Sequence, residues 1–215
     1  MKVSNLFLNA RIETKPFPYI VWEKLLDDDI FEELCNTMPE HDPFNYASKI
    51  IKNESQIWKE YANYFTSTEF HKQILEVFGI EIDKDIGLRK QDNTEYVTES
   101  FIAIRQPTYN NWCLYPHVDS KWAITSMVHY FKKKDDLDNS GDFVLLNPIK
   151  EIRYIENDSR ITYADPDCFE IIERIPYGRN NAICTLTTPN SWHGILPRKK
   201  NVRRTVNISY ERFNQ

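Results

Sequence analysis

The spacing of apolar residues changes once along the chain. Over residues 1–25, Pro16 and Pro18 lead into a β-favouring run, Tyr19-Ile20-Val21-Trp22, which predicts extended structure ahead of a first helix. Asp27, Asp28 and Asp29 then supply N-cap and first-turn carboxylates, favoured at the positive end of a helix. Ile30, Phe31, Leu34 and Met38 follow at helical spacing, and Pro39 ends the element. After a loop over 41–47, two more helices are predicted over about 54–65 and 67–78. Ile57, Trp58, Tyr61 and Phe65 form one stripe there, and Gly79 is a natural stop. His41 and His71 lie in this half and read as ordinary surface or capping histidines.

Beyond Gly87 the period becomes two. Short strands are predicted over 97–105, 112–119, 123–131, 143–146, 152–155, 169–175, 182–187, 192–196 and 205–210. Turn signals such as Gln106-Pro107, Asn139-Ser140-Gly141, Asn147-Pro148 and Pro176-Tyr177-Gly178 separate them. Many short strands after a helical segment predict an α+β fold in a single domain, 1–215. Its core is a barrel or double-sheet jelly roll over 95–212, buttressed by mainly helical support over 1–90.

Composition narrows the class. With 41% hydrophobic residues in 215, the chain can bury a sizeable core, and only 5 glycines disfavour glycine-rich and phosphate-loop architectures. A net charge of −5 gives no global attraction to nucleic acid or acidic membranes, so neither is expected as a partner. The basic runs Lys132-Lys133-Lys134 and 198–204 read as solvated turns. Cys35, Cys113, Cys168 and Cys184 are scattered without a Cys-x-x-Cys pair, no secretory leader pattern opens the chain and no apolar run is long enough to span a membrane. Reduced thiols in a cytoplasmic protein are the expectation, and the sequons at Asn53 and Asn207 then carry no glycan.

Chemistry concentrates in three stretches. In Tyr115-Pro116-His117-Val118-Asp119-Ser120, a pleated strand would turn His117 and Asp119 to the same side. A second histidine, His193, follows in Thr188-Pro189-Asn190-Ser191-Trp192-His193-Gly194. Two imidazoles and one carboxylate make a facial triad suited to Fe(II), with open positions for co-substrate and oxygen. Finally, Arg203-Arg204-Thr205-Val206-Asn207-Ile208-Ser209-Tyr210 alternates, with Arg203, Thr205, Asn207 and Ser209 on one face. That face is either solvated or lines a wet cavity. In a cavity, Arg203 would pair a carboxylate through a planar fork that Lys cannot supply, although a one-residue shift would exchange it for Arg204.

The order His117-x-Asp119, His193, Arg203 resembles the signature of Fe(II)/2-oxoglutarate-dependent oxygenases, prolyl-4-hydroxylase-like branch. Phe17-Pro18-Tyr19-Ile20-Val21 resembles that branch's N-terminal segment, and Ile124 through Phe131 the strand after its metal motif. Ser140-Gly141-Asp142-Phe143-Val144-Leu145 is similar to its Gly-Gly turn and strand, with Asp142 in place of the second Gly. The segment 149–174 is longer than the relatives' connection, as a lid, a substrate-recognition hairpin or an inert edge extension.

The resemblance implies a double-stranded β-helix (jelly roll, cupin-like) in which His117, Asp119 and His193 ligate Fe(II). Arg203 would bind the far carboxylate of 2-oxoglutarate, with Thr205 beside it and His129 as a further co-substrate contact. Such an enzyme consumes O2 and 2-oxoglutarate, releases succinate and CO2, and hydroxylates an acceptor: a protein side chain, an amino acid or a small metabolite. The alternatives are a non-catalytic jelly-roll binding module and a cupin-type metal enzyme that does not use 2-oxoglutarate. A nucleic-acid demethylase fits less well, because Glu211 stands where that group ends on Arg.

Overall fold

A computed structural model describes residues 6–38, 55–80, 94–105, 112–157 and 161–214. His41, the 41–47 loop, the Asn53 sequon, Gly87, the Gln106-Pro107 turn and Tyr109 lie outside the described residues. The N-terminal part contributes β1 (Ala10–Glu13), β2 (Tyr19–Trp22), α1 (Asp28–Asn36), α2 (Gln56–Phe65) and α3 (Thr68–Val77). Ser67 caps α3 by accepting from the Phe70 amide, and Gly79 adopts φ 70° just past its end, a conformation that glycine enters without a Cβ penalty.

The strands that follow are β3 (Thr94–Arg105), β4 (Leu114–Val118), β5 (Ala123–Phe131), β6 (Phe143–Pro148), β7 (Tyr154–Asn157), β8 (Thr162–Ala164), β9 (Phe169–Ile175), β10 (Arg179–Leu186), β11 (His193–Ile195) and β12 (Arg203–Asn214). They form two six-stranded sheets, in the orders β1-β2-β10-β5-β12-β3 and β7-β8-β4-β11-β6-β9. The pairings are antiparallel. β8, which the apolar pattern does not announce, pairs with β4 so that Tyr163 lies opposite His117.

The first sheet is covered on both faces, and its alternation sorts residues between two cores. Ile20, Trp22, Met127, Phe131, Ala182, Cys184, Val206 and Ile208 pack outward against α1, α2 and α3, around Phe31, Trp58, Tyr61 and Phe65. Tyr19, Val21, Tyr130 and Ile183 face the opposite way and meet Phe143, Leu145, Ile175 and Ile195 of the second sheet. The molecule is therefore a β-sandwich with a helical layer on one side. Residues 126, 128 and 130 of β5, 183 and 185 of β10, and 205, 207 and 209 of β12 look into the sandwich.

Two expectations change in this frame. His71 is neither at the surface nor capping: it is buried, with its ring stacked on Tyr210 at 4.5 Å between α3 and β12. Nor is the 198–204 run a solvated turn. Lys199 and Lys200 are exposed, but Arg198, Arg203 and Arg204 are buried. Arg198 is held by Asp136 at 2.6 Å and by the Ser140 and Asn201 carbonyls, each at 2.9 Å. Its carboxylate partner is 62 residues away in sequence, so the local charge run gave no sign of it.

Candidate metal centre and a buried arginine

His117 comes from β4, His193 from the start of β11, and Asp119 lies one residue past the end of β4. The register sets His117 directly opposite His193, so both imidazoles point into the sandwich with ring centroids 4.2 Å apart. One ligand atom from each of the three side chains lies within 4.8 Å of the others. His117 Nε2 is 3.7 Å from Asp119 Oδ1, and His193 Nε2 is 3.7 Å from Oδ2.

Each histidine is oriented through its other nitrogen. His117 Nδ1 bonds the Tyr115 carbonyl at 2.8 Å, and His193 Nδ1 bonds the Ser191 carbonyl at 2.9 Å. A carbonyl can only accept, so both Nδ1 atoms carry the proton and each Nε2 presents its lone pair towards Asp119. Burial works to raise the Asp119 carboxyl. Coulombic attraction to the nearby imidazoles when they carry charge, His193 ahead of His117, outweighs it and holds the group below the usual carboxylate range, with the Ser126 side chain a smaller contribution. Two neutral imidazole donors and a carboxylate, aimed at one point, form a set that fits Fe(II).

Arg203, at the start of β12 in the first sheet, faces the same interior from the opposite side. Its guanidinium sits over the rings of Tyr130 (5.0 Å) and Tyr177 (5.6 Å), and Nε donates to the Gly141 carbonyl at 3.3 Å. Nη2 is buried with no hydrogen-bond partner among the described residues, and no carboxylate there pairs with it. A buried guanidinium left in this state is costly unless a ligand supplies the missing acceptor. The Tyr130 hydroxyl is likewise buried beside it, and burial pushes it up to about 12 against the pull of Arg203. Thr205 is buried two residues along and donates to Asn207 Oδ1 at 3.1 Å. Arg204 points to the other face, while its backbone amide donates to Tyr177 Oη at 2.9 Å.

His129 does not join this group. It belongs to the outer face of β5, among Phe31, Tyr61 and Phe131. Its Nε2 meets Asn180 Oδ1 at 3.2 Å and its Nδ1 meets Tyr61 Oη at 2.9 Å. The Asn180 amide is itself fixed, since Nδ2 donates to the Leu26 carbonyl and Oδ1 accepts the Leu26 amide. His129 therefore donates from Nε2 and accepts at Nδ1, both positions committed, with the first sheet between it and the interior that holds the triad and Arg203. It is a structural histidine, and its proposed cofactor contact is corrected accordingly.

Tyr130 and Tyr177 were not singled out in the sequence. Tyr177 sits in a turn that reads only as punctuation, and β5 is apolar on both faces, so its period does not say which side is inside. The aromatics near the motif divide: Trp192 is buried and Trp112 half-buried on the outer face of the second sheet, whereas Tyr115 is largely exposed. Tyr163 lies on the inner face, its ring 5.5 Å from that of His117.

No protein-family model matches the chain, and no curated protein does. Among solved structures, a Pseudomonas putida prolyl-4-hydroxylase aligns with TM-score 0.50 at 14% identity, over 92% of this chain and 86% of that one. EvdO2 from Micromonospora carbonacea var. aurantiaca aligns with TM-score 0.50 at 12% identity, over 92% and 88%. A second EvdO2 structure, complexed with 2-oxoglutarate, aligns at TM-score 0.48. At these identities what is shared is the fold.

Proposed function

We propose that the protein is an Fe(II)- and 2-oxoglutarate-dependent dioxygenase of the prolyl-4-hydroxylase-like branch, with its sandwich wound as a double-stranded β-helix. The observation that carries this reading is two features that face one interior from opposite sheets: a convergent His117–Asp119–His193 set on the second, and a buried Arg203 short of an acceptor on the first. Neither half alone would suffice. A metal set without a cation suits many cupin-type chemistries, and a buried cation without a metal suits a simple anion-binding module.

On this reading His117, Asp119 and His193 hold Fe(II), and Arg203 binds one carboxylate of 2-oxoglutarate, assisted by the neutral Tyr130 hydroxyl. The chemistry that Fe(II), 2-oxoglutarate and O2 supply together is oxidative decarboxylation to succinate and CO2, coupled to hydroxylation of an acceptor. The chain's own work is to orient and to exclude water. The backbone carbonyls of Tyr115 and Ser191 fix the imidazole tautomers, and the aromatic walls of Tyr130 and Tyr177 keep the guanidinium dry, which strengthens its hold on an anion.

The test is succinate formation from 2-oxoglutarate by purified protein under air, with Fe(II) and pooled candidate acceptors. Turnover that requires Fe(II) and vanishes in Asp119→Ala is expected. Protein that binds iron yet never consumes 2-oxoglutarate would overturn the assignment and favour a cupin-type metal enzyme.

A further inference from the structure

Tyr177 lies in the turn where the chain passes from β9 of the second sheet to β10 of the first. It is buried, and its amide donates to Asp142 Oδ1 at 3.3 Å. Two guanidiniums share its ring, with Arg198 4.4 Å and Arg203 5.6 Å from the centroid. The two cations are not equivalent. Arg198 is paired with Asp136 at 2.6 Å and with Asp138 at 3.7 Å, whereas Arg203 Nη2 lacks an acceptor among the described residues.

The Tyr177 hydroxyl has a separate task. β12 pairs with β3 from Arg203 onwards, but with β5 only from Thr205. At Arg203 and Arg204 the strand that carries the guanidinium therefore has a strand neighbour on one side alone. A residue in an antiparallel ladder turns its N–H and C=O to the same neighbour. At Arg204 the Tyr177 hydroxyl takes that neighbour's place: it accepts from the amide at 2.9 Å and donates to the carbonyl at 3.4 Å. A side chain thus extends the ladder by one step, at the residue next to Arg203. Pairing a carboxylate through a planar fork is demanding in direction, so the backbone beneath the arginine must be held still. We infer that Tyr177 is the positioning residue for Arg203: its hydroxyl anchors the half-paired start of β12, and its ring bounds the space the guanidinium occupies. This inference rests on the co-substrate reading above and adds to it a residue that acts through another.

The experiment is a double-mutant cycle on the Fe(II)-loaded protein, kept anaerobic and read by equilibrium dialysis with labelled 2-oxoglutarate. It compares wild type, Tyr177→Phe, Arg203→Ala and the double variant, with Fe(II) affinity measured on each. Tyr177→Phe keeps the ring and removes the hydroxyl, and should weaken 2-oxoglutarate binding about 5- to 10-fold, the worth of about one hydrogen bond. Fe(II) affinity, which requires the folded sandwich, should stay within about 2-fold of wild type. In the Arg203→Ala background the same change should cost no further affinity, because the hydroxyl acts only through that arginine. Undiminished binding in Tyr177→Phe would overturn the inference. Equal losses in both backgrounds, or an Fe(II) affinity that falls in step, would also overturn it, since general packing would then be at issue. Wild-type protein that binds Fe(II) but not 2-oxoglutarate would defeat the co-substrate reading itself, and the inference with it, a result seen without any variant.

Discussion

The first sheet separates two sets of buried polar groups, one on its helical face and one in the interior it shares with the second sheet. On the helical face, His129 has each ring nitrogen spoken for, by Asn180 and Tyr61, inside a shell of Phe31, Phe131 and Trp58. On the interior side, His117 and His193 of the second sheet bond the backbone through Nδ1 and turn Nε2 towards a carboxylate, while Arg203 of the first keeps a buried Nη2 without a protein acceptor among the described residues. Burial is the same in kind. What differs between His129 and Arg203 is whether the protein completes the hydrogen bonding itself. A missing partner points to a ligand only beside other ligand-binding groups, since His71 on the helical side is also buried with neither ring nitrogen bonded among the described residues.

The largest expected effect breaks the comparison in two directions at once. His193→Ala should weaken metal binding more than about 100-fold, beyond what loss of an orienting partner causes, with a modest change in stability. His129→Ala should do the reverse. It strands the Tyr61 hydroxyl in an apolar core, removes one of the two donors to Asn180 Oδ1 and opens a cavity, for roughly 3 kcal/mol of stability, and leaves the metal affinity of the folded protein unchanged. Titration calorimetry and urea unfolding on the same two proteins read both effects. A His129→Ala protein that folds but no longer binds metal would erase the distinction between the faces.

Next in size is the buried Arg203. Arg203→Ala should weaken 2-oxoglutarate binding to the metal-loaded protein by about 10- to 100-fold, the worth of a charge-assisted pair, and Arg203→Lys should recover only part of it. Equilibrium dialysis with labelled 2-oxoglutarate provides the measurement. Undiminished binding in Arg203→Ala would move the cation elsewhere. Gly141 bears on the same arginine: it holds φ 94°, its carbonyl receives Arg203 Nε, and an added Cβ would collide with the Arg198 side chain. Gly141→Ala should therefore cost about 1–3 kcal/mol of stability and weaken 2-oxoglutarate binding through Arg203. Loss of stability with wild-type affinity would show that the carbonyl is not needed to aim the guanidinium.

How much of this was legible depended on whether a signal was local. The strand bounds of β5 and β9 follow from turn residues and β-branched runs, and the inward set Arg203, Thr205, Asn207 is visible because the other face of β12 is apolar. The same logic fails for His129, since β5 is covered on both sides and alternation there is apolar on apolar. Helical amphipathicity located α3 but could not distinguish a capping His71 from one buried under Tyr210, a residue at the far end of the chain. β8 spans three residues, too few for a period, and only its pairing with β4 reveals that part of the long 149–174 segment stands beside the metal strand. Arg198 sits among lysines, and its partner Asp136 is supplied by a distant turn.

The smallest expected effect tests whether the helical face really keeps its histidines neutral. Burial lowers His71 to about 4 and His129 to about 3, in the latter case against the hydrogen bond that His129 donates to Asn180, while both titrate near 6.5 when unfolded. Between those values the unfolded chain binds protons that the native state refuses. Stability from these groups is thus complete above about pH 6.5 and declines as pH falls towards 4, by up to about 1.4 kcal/mol per pH unit for each histidine. His71→Phe keeps a ring against Tyr210 and removes one titrating group, so the acid slope of the urea midpoint should shrink by one proton's share. The inner face gives no reason for any change in metal affinity in this variant. An unaltered slope would mean that His71 accepts its proton within the fold, and the helical face would then be less closed than its packing implies.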